Sequence, residues 1–85
     1  MSFRVELSSR AFKQIEKLET QDLGRVVQKL KELERAPVSK GCRKLRGAPD
    51  IYRVRVGNLR ILYKIIWDDA TVLVFRIAPR KSVYR

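Results

Sequence analysis

Histidine is absent from this chain of 85 residues, cysteine occurs once, and acidic residues are scarce, with nine Asp and Glu against 20 Lys and Arg. Without histidine the chain lacks the usual general base near neutral pH, the His-containing nucleophilic triads and the commonest metal ligand. We therefore predict no metal site and no cofactor. The lone Cys42 cannot form an internal disulfide, which fits a reducing compartment.

Long apolar runs are also missing. None approaches the roughly 20 residues needed to span a bilayer, and the N-terminal residues lack the charged-then-apolar pattern of a secretion signal. We therefore expect a cytoplasmic protein with no membrane partner. A chain of this length is expected to form one domain, residues 1–85, whose single core buries only about 60 to 65% of the unfolded surface.

Positive charge dominates and is unevenly distributed. The formal net charge is +11; residues 1–42 hold nine basic and six acidic groups (net +3), whereas residues 43–85 hold eleven and three (net +8). This asymmetry predicts a polyanion as partner, and nucleic acid is favoured over a membrane surface because the basic half has no strongly amphipathic basic helix. Solubility alone is the alternative explanation.

Apolar and basic residues alternate on both sides of Gly57-Asn58, a two-residue turn whose leading glycine suits a type II′ hairpin. Pairing outward from the turn puts Arg55 opposite Arg60, and the period-two alternation places Arg53 on the same face. Like charges directly opposite each other destabilise a sheet by roughly 0.2 to 1 kcal/mol, and no carboxylate lies between residues 51 and 67. We infer that this face holds an external anion, with phosphate the obvious candidate; a solvated hairpin face is the alternative.

The remaining pattern predicts an α+β domain of order β-α-α-β-β-β, in which an N-terminal strand and a two-helix hairpin pack on an antiparallel sheet and leave its other face available. Ser8 or Ser9 caps the first helix, and the second begins near Thr20 to Asp22 and stops before Pro37. Residues 38–49 are predicted to form a loop. The later strands are expected at about 51–56, 59–67 and 71–78.

A three-residue turn, Asp68 to Ala70, is predicted between the last two strands. It gives the pairs Ile61 with Ile77, Tyr63 with Phe75, and Ile65 with Leu73. This register puts Arg76 beside Leu62 on the arginine side. A two-residue turn would instead place Arg76 opposite Ile61 in the core, at a burial cost that argues against it.

Four segments, in this order and spacing, resemble the RelE branch of the RelE/ParE superfamily, the toxins of bacterial and archaeal toxin-antitoxin pairs. They are Lys44–Gly47, Asp50–Gly57, Leu59–Tyr63 and Arg80–Tyr84. RelE toxins have a fold similar to the one predicted above. They cut messenger RNA in the ribosomal A site, using the 2′-hydroxyl of the substrate as nucleophile. The resemblance therefore implies an mRNA endoribonuclease.

The resemblance also implies the catalytic residues. The basic pair on the family's second strand matches Arg53 and Arg55, its arginine on the third strand matches Arg60, and its C-terminal arginine and tyrosine match Arg80 and Tyr84. The other basic residues that we expect to bind RNA are Lys44, Arg46, Arg76, Lys81 and Arg85.

Two departures from the family pattern leave the general base open. Some members have lysine where Arg53 and Arg55 stand, and many place a histidine where this chain has Pro79. Because arginine stays protonated, the proton must go to Tyr84, to a lysine such as Lys44 or Lys81, or to a group on the ribosome.

The partners implied are the ribosome, its mRNA, and a RelB-type antitoxin that silences the toxin in a hetero-oligomer. A different function is carried by the same scaffold in the ParE branch, which inhibits DNA gyrase by binding. The ending from Arg80 to Tyr84 is present in the nuclease branch and generally missing from the gyrase inhibitors, so it favours RNA cleavage. A non-catalytic nucleic-acid-binding domain is the third possibility.

Overall fold

Five strands form one sheet in the computed structural model, which describes residues 2–79. The elements along the chain are β1 (Arg4–Leu7), α1 (Ser9–Glu16), α2 (Thr20–Arg35), β2 (Cys42–Lys44), β3 (Ile51–Val56), β4 (Leu59–Ile66), a 3-10 turn (Trp67–Asp69) and β5 (Thr71–Pro79). The strand order is β1-β5-β4-β3-β2, with β1 parallel to β5 and the other neighbours antiparallel. The predicted α+β class is confirmed, with β2 as an additional strand.

Helix α1 begins, and helix α2 ends, where local signals in the sequence place them. The Ser8 hydroxyl caps α1 by accepting a hydrogen bond from the Ala11 N–H at 3.1 Å, which satisfies a donor that the first turn leaves open. Helix α2 starts at Thr20 and ends at Arg35, before Pro37, which disfavours helical backbone in the residue preceding it. In the part of the chain that is described, no helix has the length and apolar composition needed to cross a membrane.

The helices cover one face of the sheet and build the core there. Their buried side chains are Ala11, Val26 and Leu33, which join apolar residues of the strands. The strand residues of this core are Val54, Val56, Leu59, Ile61, Tyr63, Ile65, Val72, Val74 and Ile77. The alternation in β3 and β4 therefore leaves the basic positions of the hairpin on the other side of the sheet.

Strand β2 lies inside residues 38–49, so the prediction of a loop over that whole segment was wrong. Its residues Cys42, Arg43 and Lys44 pair with Val54, Arg53 and Tyr52 of β3. Three residues are too few for a period-two pattern to stand out, and two basic residues among them are typical of a solvated loop. The strand forms because it covers part of the exposed edge of β3, whose backbone groups need partners.

The register between β4 and β5 was predicted correctly at one end only. Ile61 lies opposite Ile77 and Leu62 opposite Arg76, as expected, but Tyr63 lies opposite Val74 and Ile65 opposite Val72 because a bulge falls between Leu62 and Tyr63. The turn is also longer than predicted: a 3-10 turn leads to Ala70, whose φ of 48° is left-handed. The bulge shifts β5 by one residue, and without it Arg76 would face Ile61 in the core. The cost of burying Arg76 is thus avoided by a bulge rather than by the length of the turn.

Tyr63 ties the segment after α2 to the centre of the sheet. Its side chain is fully buried, its ring stacks on Tyr52 with centroids 5.9 Å apart, and its hydroxyl donates to the carbonyl of buried Pro37 at 2.6 Å. Burial, followed by the neighbouring Cys42, raises the pKa of the Tyr63 phenol well above its ordinary value. This bond ties the chain just after α2 to the central strand β4.

Tyr63→Phe is therefore expected to lower the free energy of unfolding by about 1 to 3 kcal/mol, because the buried Pro37 carbonyl loses its partner. Tyr52→Phe is the matched control: it keeps the stacked ring and removes a hydroxyl from a half-buried residue, so its cost should stay within about 0.5 kcal/mol. Urea unfolding at pH 7 measures both. Equal stabilities for the two variants would contradict the assigned role of the hydroxyl.

The same residue predicts a pH dependence. Because the folded state raises the pKa of Tyr63, its contribution to stability is fully present below the unfolded value of about 10 and is lost as the pH rises above it. Urea midpoints measured from pH 8 to 11 should fall more steeply for the wild type than for Tyr63→Phe, since all other titrating groups are shared. Parallel curves would show that this phenol does not contribute.

Candidate functional site

The hairpin of β3 and β4 brings three of the predicted catalytic arginines to one face of the sheet. Every predicted pair of the hairpin is confirmed, including Arg55 opposite Arg60. A positive φ occurs at Gly57 (59°) but not at Asn58, which is the pattern of a type II′ turn. Because residues directly opposite each other share a face, Arg53, Arg55 and Arg60 project from the same side of the sheet.

Neighbouring strands extend this surface, which we call the arginine face. Strand β2 places Arg43 opposite Arg53, and β5 places Arg76 opposite Leu62 and Ala78 opposite Arg60. The arginine face thus comprises Arg43, Arg53, Arg55, Arg60 and Arg76, with Leu62 and Ala78 between them. Two pairs of like charges face each other directly, each at a cost of roughly 0.2 to 1 kcal/mol. A bound anion would relieve this repulsion.

The arginine face is graded from exposed to buried. Arg55 is exposed and Arg53 is half-buried, whereas Arg60 is 0% exposed. The expectation that this whole face is open was therefore wrong at its centre, where Leu62 and Ala78 are also buried. All three lie near the middle of the sheet, Arg60 and Leu62 on its central strand β4 and Ala78 on the neighbouring strand β5. An anion reaching Arg60 would interact with it in a lower effective dielectric than at Arg55.

The structure does not bring all the predicted RNA-binding residues to this face. Lys44 lies opposite Tyr52 on the side of the sheet that carries the helices, where it borders a shallow cavity beside Pro49. Arg46 is exposed in the turn after β2. Arg76 belongs to the arginine face but lies on β5, where it lines a cavity with Glu19 and Asp22. The remaining candidates Arg80, Lys81, Tyr84 and Arg85 lie outside the described residues.

Three basic residues that the sequence did not single out gather beside Arg53 and Arg55. Lys29 of α2, Lys40 before β2, and Arg43 line a cavity of about 300 Å³ together with those two arginines; Gly41 and Val54 complete the lining. The available sequence signal was weak: Arg43 alternates with Cys42 and Lys44, but over three residues only. The like-charge pair Arg43 and Arg53 becomes visible once β2 is placed.

Within residues 2–79, no three or more His, Cys, Asp or Glu side chains cluster closely enough to hold a metal ion. The donors that the site offers are guanidinium and ammonium groups, which bind oxyanions strongly.

The family model for the ParE toxin of type II toxin-antitoxin systems, parDE, matches residues 5–84 of this chain. The chain belongs to the RelE/ParE toxin superfamily. A protein assigned as toxin RelE1 from Methanocaldococcus jannaschii is 30% identical over 88 residues, covering 100% of this chain and 98% of the relative. The protein is thus a toxin of a type II toxin-antitoxin system.

Solved structures of RelE toxins share the fold of this toxin. A chain of the archaeal RelE–RelB complex from Pyrococcus horikoshii OT3 superposes with a TM-score of 0.83 at 28% identity, covering 94% of this chain and 97% of that one. The isolated E. coli RelE toxin superposes with a TM-score of 0.84 at 28% identity, covering 98% and 92%. The likeness extends over nearly the whole domain, including the hairpin that carries the arginines.

Arg55→Glu tests whether the arginine face carries the repulsion that the register implies. Replacing a like-charge pair with an opposite-charge pair should raise the free energy of unfolding by about 1 kcal/mol. Arg46→Glu, in the exposed turn, changes the net charge equally and serves as the control. The difference between the variants should shrink as salt increases. An Arg55→Glu protein no more stable than Arg46→Glu at low salt would contradict the assigned repulsion.

Proposed function

We propose that this toxin is an endoribonuclease that cuts messenger RNA in the ribosomal A site, with the arginine face holding the scissile phosphate. The observation that carries the proposal is the convergence of Arg53, Arg55 and Arg60 on one face of the hairpin. The RelE names of its relatives support it. The net charge of +11 is in keeping with a nucleic-acid substrate.

The proposed chemistry relies on electrostatic stabilisation. In-line attack of a 2′-oxygen on its neighbouring phosphate gathers negative charge on the nonbridging and leaving oxygens, and forked guanidinium donors lower the barrier when they are aimed at those oxygens. Buried Arg60 is the strongest candidate for the developing charge, since a preorganised donor shielded from water contributes most. Exposed Arg55 and half-buried Arg53 would capture and orient the phosphate.

The general base remains a separate proposal. Tyr84 would stack on a splayed base and orient or exchange a proton, Arg80 would neutralise the leaving group, and Lys81 is a second candidate base. Lys44 is disfavoured as the base because it projects from the opposite side of the sheet to Arg55. Lys44, Arg46, Arg76, Lys81 and Arg85 stay predicted contacts to RNA.

The proposed protein partner is a RelB-type antitoxin in a toxin-antitoxin hetero-oligomer. Relatives of this toxin have been solved in complex with RelB, from Pyrococcus horikoshii OT3 and from E. coli. A partner that silences a chain of charge +11 should lay acidic or hydrophobic segments over its basic surface, and such segments often fold as they bind. The complex should have a much smaller net positive charge per toxin chain and should not cleave message.

Inhibition of DNA gyrase, as in the ParE branch, is the alternative function. The specific observation in its favour is the family model, which is that of the ParE toxin. The ending Arg80 to Tyr84 and the RelE relatives favour cleavage instead. The two functions require different targets and can be separated directly.

Primer extension on message translated by purified ribosomes tests the proposal. The wild-type toxin should produce A-site cuts, and Arg55→Ala should reduce the cleavage rate by about 100-fold, because the scissile phosphate loses a donor that orients it for in-line attack. Arg55→Lys should restore only part of the rate, because lysine keeps the charge but loses the fork. Arg10→Ala, on exposed helix α1, removes the same charge and should leave the rate unchanged.

The same preparations should be assayed for supercoiling by DNA gyrase. Intact message together with inhibited gyrase would reverse the assignment in favour of the ParE-like function. RNA binding that collapses with salt, without product in either assay, would identify a non-catalytic binding domain.

A further inference from the structure

The cationic cavity at the outer edge of β3 contains Lys29, Lys40 and Arg43, which have no role in the chemistry proposed above. Its charged lining residues come from four elements: Lys29 from α2, Lys40 from the turn before β2, Arg43 from β2, and Arg53 and Arg55 from β3. No carboxylate is among its lining residues, and the volume of about 300 Å³ is large enough for a phosphate group with part of its nucleotide.

Packing does not explain why these cations are together. Arg43 and Lys40 are exposed, and Arg43 directly faces Arg53, so their proximity opposes folding. Lys29 differs, because its ammonium group bonds to the Glu32 carboxylate at 2.9 Å. Lys40, Arg43 and Arg55 are the exposed cations of this lining, and they place three positive charges together at the edge of the sheet.

Gly41 keeps the cavity continuous with the arginine face. Because Cys42 pairs with Val54, Gly41 lies next to Arg55. Arg60, Arg55 and Gly41 therefore occupy neighbouring positions on three adjacent strands, and the last of them has no side chain. A Cβ atom at Gly41 would meet nothing within 4 Å, and its φ of 95° favours glycine. Arg55 thus borders both the arginine face and the cavity.

We infer that this cavity is a second phosphate site, formed by Lys40 and Arg43 with Arg55, and that it binds the linkage next to the one that is cut. Neighbouring strands lie about 4.8 Å apart, so the cavity at β2 is about 10 Å from the strand that carries Arg60. A single RNA strand can cross that distance by passing over Arg55. The inference rests on the proposed RNA substrate and adds residues that hold it without touching the reacting atoms.

A phosphate contact leaves a characteristic signature in binding. Neutralising one phosphate of a single strand contributes a slope of about −0.7 to the dependence of log K on log salt. Loss of such a contact weakens binding about equally for all base sequences. The Lys40→Ala/Arg43→Ala variant should therefore show a slope shallower by about 0.7, with unchanged sequence preference.

The experiment uses fluorescein-labelled RNA oligonucleotides that carry a 2′-deoxy residue at the cutting position, so that binding is measured without cleavage. One oligonucleotide carries two phosphates, one at the cutting position and a second at the neighbouring linkage. The other oligonucleotide lacks this second phosphate. The proteins are the wild-type chain, the Lys40→Ala/Arg43→Ala variant, and an Arg10→Ala/Lys31→Ala control that loses the same charge from exposed helix positions. Removing the second phosphate should weaken binding by the wild type and the control, but not by the Lys40→Ala/Arg43→Ala variant.

Thermal unfolding without RNA separates this site from a structural role. The Lys40→Ala/Arg43→Ala variant should be at least as stable as the wild type, because a like-charge pair is removed. A less stable variant would assign these residues to the fold. Two results would overturn the second phosphate site. One is an equal salt dependence of binding for the variant and the wild type, and the other is no detectable RNA binding by either protein at the lowest salt.

Competition identifies the source of the phosphate. If the wild type binds pyrophosphate more tightly than it binds the two-phosphate RNA, and the Lys40→Ala/Arg43→Ala variant loses pyrophosphate binding, the cavity is a site for a free polyanion. That result would overturn the RNA assignment. An effect of the variant on antitoxin binding alone would assign it to the protein partner, with the same consequence. Because none of these readouts requires cleavage, a toxin that binds as expected but does not cut would refute the proposed function and leave the second site intact.

Discussion

The juxtaposition of Arg55 and Arg60 across the hairpin is the constraint on which the candidate site depends. It follows from a two-residue turn with glycine at its first position, which sets the register of β3 against β4. A slip of one residue would move the arginines into the core and the apolar residues to the other face. The same register therefore builds the core and concentrates charge on one surface, so neither can be altered alone.

The strands on either side are adjusted to keep this arrangement. On one side, the bulge in β5 keeps Arg76 opposite Leu62. Without the bulge, Arg76 would face the core. On the other, β2 adds Arg43 opposite Arg53 and increases the repulsion. The first feature avoids the burial of a charge; the second accepts a like-charge pair. Accepting that cost is typical of a surface that serves binding rather than stability.

The helix side of the sheet supports the arginine side indirectly. The hydrogen bond from Tyr63 to Pro37 holds the chain as it leaves α2, and the segment that follows delivers Lys40 and Arg43 to the edge of β3. A domain of 85 residues has one core for all of this. Its stability therefore limits how many like charges it can hold together without an anion.

Local signals in the sequence determined much of this protein. The hairpin register, the cap at Ser8, the end of α2 before Pro37, and the shared face of Arg53, Arg55 and Arg60 all depend on residues close together in the chain, so short-range sterics and alternation were enough. The tertiary structure alone decided the pairing of β2, the bulge in β5, the burial of Arg60 and the cavity around Arg43. These depend on which distant segments compete for the edges of one sheet, and that competition is settled by the packing of the whole domain rather than by any local pattern.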